Sequence, residues 1–457
     1  MTHWTATAIA SDVRRGARTA RAVVEESLGR IERINPRLNA FSVVRTEQVR
    51  AEADAVDAAL ARGADPGPLA GVPVAVKEEY DVAGDVTTLG GLGNSTPRAA
   101  DCEVVRRLRA AGAVVVGRTT MPEFGQFPIG QSEYHGTTLN PWDPHRSPGG
   151  SSAGSGVAVA TGAVPVAMGA DGGGSVRIPA SACGVLGLKP TRGRISPAPL
   201  AEHWYGLATF GVLSRTAEDA AVVLGVVSGN VPGDTWTLPA PERPFTEAVQ
   251  RATRPMRILA ATNPVLRGAT APGVSNALDD LTERLRTLGH DVRCARVSWP
   301  DPTAAFLPLY LAGIHQEADQ VEHPELLTAH TRRTARLGAA VTPRMVAAAQ
   351  REAERCARVL DAAFASADLI MLPTLTDPPI GATDFTARGW LSSLLRSSGI
   401  IGNTALLNVT GHPGVSVPAG LADGVPVGAQ FVARRRREDL LLAVAAQLDR
   451  HPRDRAK

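Results

Sequence analysis

Lysine is nearly missing from this chain. Of its 48 basic residues only Lys77, Lys189 and Lys457 are lysine, so the other 45 are arginine. Aromatic residues are few, at 4% of 457 positions. The four cysteines, Cys102, Cys183, Cys294 and Cys356, lie far apart and form no C-x-x-C pair or Cys/His ligand spacing. That argues against a bound metal and against a disulfide framework. Charge of one sign is also lacking: the net charge is +3, with acidic and basic residues interspersed. A nucleic-acid binder would show a basic stripe with aromatics. The run Arg434 to Arg437 is followed at once by Glu438 and Asp439 and reads as the solvated start of a helix. No long apolar run occurs. The stretch 156–170 is short and broken by Gly162 and Pro165, so it is a buried segment rather than a membrane span. The N-terminal MTHWTATAIASDVRRGAR has no continuous apolar core of a signal peptide. These absences lead to the expectation of a cytoplasmic protein with neither nucleic-acid nor membrane partners.

What is present suits a large core: 44% of residues are apolar and 20% charged. The length would allow about three average domains, yet no polar tether interrupts it, so one domain over 1–457 is expected. Its parts are a helical start (1–65), a core (66–230), a helix-rich, alanine- and arginine-rich segment (240–360) and a strand-rich end (365–457). Apolar spacing predicts a helix over 20–34 stopped by Pro36, a strand at 40–44 and a helix over 46–62 ended by Gly63. A buried strand at 72–76 follows, with Lys77 at its tip. Then come a helix over 103–111 and a strand at 113–116 ended by Gly117. The end of the chain reads as strands at 369–374, 414–420 and 427–433 and a helix over 439–448. Helices alternating with short β-branched runs indicate an α/β layered fold.

One of the three lysines thus ends an apolar strand, VPVAVKEE at 72–79. Arginine cannot give up its proton in a protein, whereas a buried lysine can. On its own such a lysine more often pairs with a carboxylate, and Glu78 and Glu79 are adjacent. Two glycine–serine segments add to it: SPGGSSAGSG at 147–156 and GADGGGSVRIPA at 169–180. A helix-like run and a short strand separate Ser151 from Ser175, a path that can return both turns to one end of a sheet. Gly172, Gly173 and Gly174 can adopt positive φ and aim successive N–H groups at one point, which binds an anion. Were Ser175 to attack a carbonyl, that anion would be the oxyanion. Serine needs a base, and none of the ten histidines falls in these segments; His135 and His412 sit in Gly/Pro turns and read as structural. Lys77, with Ser151 relaying the proton, could serve instead. Neither glycine segment is a phosphate loop, for the GK[ST] ending and the G-x-G-x-x-G spacing are both missing.

Taken together, GVPVAVKEEYDVAG (71–84), GRTTMPEFG (117–125), NPWDPHRSPGGSSAGSGVAVATG (140–162), GADGGGSVRIPASACGVLGLKPTRGRIS (169–196), GVLSRTAEDAAVVL (211–224), NVTGHPGVSVPAG and VPVGAQFVA resemble the amidase signature family of serine hydrolases. The resemblance covers the chain ends and most of the first half; 240–360 matches only as helical filler. It implies an α/β/α sandwich with a large mixed, twisted central sheet covered by helices on both faces. It also implies a Ser–cis-Ser–Lys triad: Ser175 as nucleophile, Ser151 as the bridging serine after a cis peptide from Gly150, and Lys77 as base. The oxyanion donors would be the N–H groups of Gly172, Gly173, Gly174 and Ser175, with Asp171 and Arg177 fixing the turn. Gly125, Gln126 and Phe127 would line the acyl pocket. No cofactor or metal is implied. Three positions depart from the common pattern: Ala153 for glycine, Glu78 for aspartate, and Gly172 for threonine or isoleucine, which should leave the oxyanion turn looser.

The implied activity is hydrolysis of carboxamides, here neutral hydrophobic or aryl amides, with esters and carbamates as further substrates of a small-molecule enzyme, monomeric or homodimeric. The stretch 390–401 is read as a lid over the site or a plain helix. Two other readings stand beside this one: the amidase subunit of a glutamine-dependent tRNA amidotransferase, and a non-catalytic protein that holds an anion in the glycine nest.

Overall fold

Short β-branched runs that are buried end to end need cover on both faces, and the chain supplies it. The computed structural model describes residues 4–251, 254–266, 268–383, 385 and 389–451. Among these, eleven strands form one mixed sheet. In chain order they are β1 (Phe41–Val44), β2 (Pro73–Lys77), β3 (Val114–Thr119), β4 (Val166–Asp171), β5 (Leu186–Lys189), β6 (Thr209–Ser214), β7 (Arg257–Ala261), β8 (Asp291–Ala295), β9 (Leu369–Pro373), β10 (Gly414–Ala422) and β11 (Val425–Ala433). Their spatial order is β1-β3-β2-β4-β6-β5-β10-β11-β9-β7-β8. The pairs β2/β3, β2/β4, β9/β7 and β7/β8 are parallel and the others antiparallel.

Alternate residues of β9 fall in two separate apolar clusters. Leu369 and Met371 join one, and Ile370 and Leu372 the other. With the two-residue period of a strand this places a core on each face of the sheet, as the α/β layered reading requires. No described helix is long and apolar enough to cross a membrane.

Three expectations about elements are corrected. The helix Ala20–Leu38 continues past Pro36 and ends at Asn39, whose φ of 51° is left-handed and whose N–H donates to the Asn35 carbonyl at 2.9 Å. A proline removes only its own N–H from the ladder, and so near the C-terminus a left-handed cap decides where the helix stops. Strand β3 likewise runs through Gly117. A side chain there would collide with the Val43 carbonyl, so this glycine admits the edge strand β1 rather than ending β3. Finally, 240–360 is not only helical: β7 and β8, parallel and joined through the helix Pro272–Thr287, extend the sheet. β8, at the sheet edge, is largely exposed, and β7 beside it has only the short apolar run Ile258–Ala261, of which Ile258 and Ala260 are buried.

Candidate active site

Lys77 is the last residue of β2, between β3 and β4, and 1% exposed. A side chain at the tip of a central strand points across the carboxyl edge of the sheet, where the neighbouring loops meet. Here it meets the loop before the helix Ala153–Ala160. Lys77 Nζ donates to Ser151 Oγ at 2.8 Å and reaches the Ala170 carbonyl at 3.5 Å. The Gly150–Ser151 peptide is cis. Gly125 closes this corner: a Cβ on it would lie 2.9 Å from Ser151 Oγ and 3.5 Å from Lys77 Nζ.

The apolar setting expected for Lys77 is half of what the fold builds. Glu79 Oε1 lies 3.0 Å from Nζ, and both side chains are buried. Glu78 points elsewhere and bonds His135 Nε2 at 2.8 Å. His412, fully buried, bonds Asp361 at 3.0 Å and stacks on Phe364. Both histidines are engaged in the scaffold.

β4 carries the chain into the second glycine segment, so both turns lie at one end of the sheet. Ser175 is 7% exposed at the start of the helix Arg177–Cys183, and its carbonyl accepts the Ser152 N–H at 3.2 Å. The Ser175 hydroxyl makes no hydrogen bond with Ser151 among the described residues. Of the three glycines only Gly174 has positive φ, 131°. The amides of Gly172, Gly173, Gly174 and Ser175 are buried, yet none donates to a protein acceptor among the described residues. Buried amides are nearly always paired, so four successive free donors mark a place for an anion or a polarised carbonyl.

Asp171 and Arg177 hold this turn from behind. Both are fully buried, joined by Arg177 Nη2 to Asp171 Oδ1 at 2.6 Å and Nε to Oδ2 at 2.9 Å. Asp171 Oδ2 also accepts the N–H groups of Val176 and Arg177. Burial alone would raise the Asp171 carboxyl, but the Arg177 charge and hydrogen bonds outweigh it and hold the group at about 2. Arg177 continues to Gln430, Asn408 and the Thr404 carbonyl. Thr404 in turn donates to the Gly173 carbonyl at 2.5 Å.

The family model described as Amidase matches residues 22–442. The chain belongs to the amidase signature family. AmiB2 of Mycobacterium tuberculosis is 40% identical to it over 95% of this chain and 93% of its own length. A solved 6-aminohexanoate cyclic dimer hydrolase superposes with a TM-score of 0.90 at 34% identity, covering 98% of this chain and 96% of the other. A bacterial aryl acylamidase of the amidase signature family gives 0.89 at 27% identity, covering 98% and 96%. Family membership makes this chain an amidase-type hydrolase with the mixed-sheet fold described above.

The pocket candidates separate on inspection. Gly125 abuts Lys77 and Ser151. Phe127 is half-buried, its ring 5.9 Å from His330 and 6.1 Å from Phe385. Gln126 is tied up as scaffold: its Nε2 donates to Thr331, and its Oε1 accepts from Thr334 at 3.2 Å. Asn408 escaped sequence reading although it opens the quoted NVTGHPG segment. Its amide reaches both Asp171 Oδ1 and the Leu207 carbonyl. Trp204 and Phe306 were also missed; both pack against the glycine turn, as does Ile401 from the stretch 390–401. Phe306 comes from the helix Thr303–Ala318, within the segment that had read as filler.

The stretch 390–401 is mostly the helix Trp390–Ile400. Trp390 Nε1 anchors it to Thr334 at 2.9 Å. A cavity of about 250 Å³ lies between this helix, the 375–380 loop, Gly149 and Ile178. It borders the turn through Ile178, whose Cδ1 lies 2.7 Å from where a Gly174 Cβ would sit.

Proposed function

We propose that this amidase cleaves carboxamide C–N bonds through an acyl-enzyme on Ser175, with Ser151 as relay and Lys77 as base. The observation that carries the reading is the 2.8 Å Lys77–Ser151 hydrogen bond beside four buried amides, Gly172 to Ser175, without protein acceptors. In the first step Ser175 Oγ bonds to the substrate carbonyl carbon. Its proton passes to Ser151, and the Ser151 proton passes to the uncharged Lys77 amine. The carbonyl π pair moves onto oxygen, where the four amides receive it. Collapse breaks the C–N bond, and the leaving nitrogen takes the proton back along the same path. Water then adds to the acyl carbon, losing its proton by that path, and releases the acid and Ser175. The Ser175–Ser151 hydrogen bond belongs to the substrate complex, where such contacts tighten.

Neutral hydrophobic or aryl amides are the proposed substrates, with esters and carbamates presenting the same carbonyl. Support comes from the apolar groups around the turn: Phe306 and Ile401 beside Gly173, and Ile178, Ile400 and Leu375 along the cavity. The names of the two structural relatives, a cyclic-dimer amide hydrolase and an aryl acylamidase, agree with that choice. We further take the enzyme to act in the cytoplasm as a monomer or homodimer, without cofactor.

The test is a panel of chromogenic anilides, esters and carbamates. The purified chain should turn over at least one without ATP or a partner subunit, which separates it from an amidotransferase subunit. Ser175→Ala and Lys77→Ala should each lower kcat on the order of 10³-fold or more. Unchanged turnover in both variants overturns the triad. Anion binding that survives Lys77→Ala, with no covalent adduct at Ser175 in wild type, would favour a binding protein.

A further inference from the structure

The resemblance implies a threonine or isoleucine at Gly172 and, without it, a looser turn. In the fold the space beside Gly172 is filled by Trp204. A Cβ on Gly172 would lie 2.8 Å from Trp204 Cζ3 and 2.9 Å from Cε3. The other edge of the same indole meets a second glycine. A Cβ on Gly313, in the helix Thr303–Ala318, would lie 2.8 Å from Trp204 Cδ1 and Cγ. Gly172 does not have positive φ, so the ring rather than the backbone demands glycine there.

Several features hold the ring in place. Trp204 and Tyr205 have φ of 50° and 52°, followed by Gly206 at 81°. Left-handed conformations of bulky residues persist only where the surroundings enforce them. On one side of Trp204, His203 Nε2 bonds Glu317 of the helix Thr303–Ala318 at 2.8 Å. On the other, the Leu207 carbonyl accepts from the Asn408 amide that also binds Asp171. Tyr310 meets the indole edge-on at 5.6 Å and stacks on Phe306, which covers Gly173.

We propose that Trp204 is a positioning residue for the oxyanion turn, its indole serving as the missing side chain of Gly172 and wedged in place by Gly313. A glycine-rich turn without such a wall would sample many backbone states, and its amides stabilise an oxyanion only while aimed at one point. The inference rests on reading those amides as the oxyanion hole.

The experiment uses the full-length chain and an anilide or ester that wild type hydrolyses. Trp204→Ala should lower kcat about 10- to 100-fold, short of losing an oxyanion donor outright, with KM changed less than about twofold, because the turn acts on the transition state. Trp204→Phe should recover part of kcat. Gly172→Thr in wild type should also be impaired, since its side chain meets the ring. In the Trp204→Ala background, Gly172→Thr should instead raise kcat above that of Trp204→Ala alone. Wild-type kcat in Trp204→Ala, or independent effects of the two substitutions, overturns the proposal. Should Trp204→Ala not fold, Trp204→Phe and Gly313→Ala carry the test, and unchanged kcat in both is the overturning result. Ser175→Ala measured alongside keeps the two readings apart. If it retains turnover, the function reading has failed, and the Trp204–Gly172 coupling is then read from the Tm values of the same four proteins. If it is inactive while Trp204→Ala is normal, only the present inference fails.

Discussion

Lys77 Nζ stands 2.8 Å from Ser151 Oγ, in a chain that otherwise writes its positive charges almost entirely as arginine. An arginine there would keep charge and reach but could not accept a proton. Lys77→Arg should therefore be as inactive as Lys77→Ala, on the order of 10³-fold down in kcat. Steady-state kinetics on a chromogenic ester checks this, with Tm confirming the fold. Substantial activity in Lys77→Arg would show that the lysine serves only as a charge.

Asp171 is held at about 2, below its ordinary value near 3.8, by Arg177. A folded value below the unfolded one stabilises the native state above about pH 4. That contribution is lost as pH falls through the folded value near 2. Asp171→Asn leaves the buried guanidinium without its counter-charge and should cost about 3–5 kcal/mol at neutral pH. Urea denaturation reads the loss. The variant should also lose activity, because the amides of the turn hang on this pair.

Lys189 ends β5 fully buried, its Nζ donating to the Pro190 carbonyl at 2.8 Å. Burial, with the nearby Arg177 charge adding to it, pushes the amine from about 10.5 down to about 7. Between these values the unfolded chain holds a proton that the folded chain has released, so this site costs stability increasingly as pH falls from 10.5 to 7. Wild-type stability relative to Lys189→Met should rise across that window, by at most about 1.4 kcal/mol per pH unit. Denaturation midpoints of the two proteins at pH 7, 8 and 9 provide the check.

Gly174 has φ 131°, and a Cβ there would press on Thr404 Oγ1 and Ile178. Thr404 is the residue that clamps the Gly173 carbonyl. Gly174→Ala should therefore disturb two of the four amides and lower kcat by about 10²–10³-fold. Kinetics beside circular dichroism would separate this from unfolding.

Much of the site was legible in the sequence because its groups lie in short, chemically unusual stretches. Lys77 ends an apolar run, and Ser151 and Ser175 each sit in a glycine-rich turn. The buried strands β2, β4, β9 and β11 could be read in the same way, since burial on both faces writes a continuous apolar run. The strands β7 and β8 could not: β8 is an exposed edge strand interrupted by Arg293, and the apolar run of β7, Ile258–Ala261, is too short to be told from part of a helix.

The linear chain, taken alone, thus determined which reactive groups exist, their order, and the α/β layering that carries them. Tertiary structure decided what surrounds them: Glu79 beside the amine, Asn408 behind the turn, and an indole between Gly172 and Gly313. Local spacing encodes the period of a helix or strand. Which distant surfaces meet depends on the path of the whole backbone, and a glycine looks the same in sequence whether it faces open space or an aromatic ring.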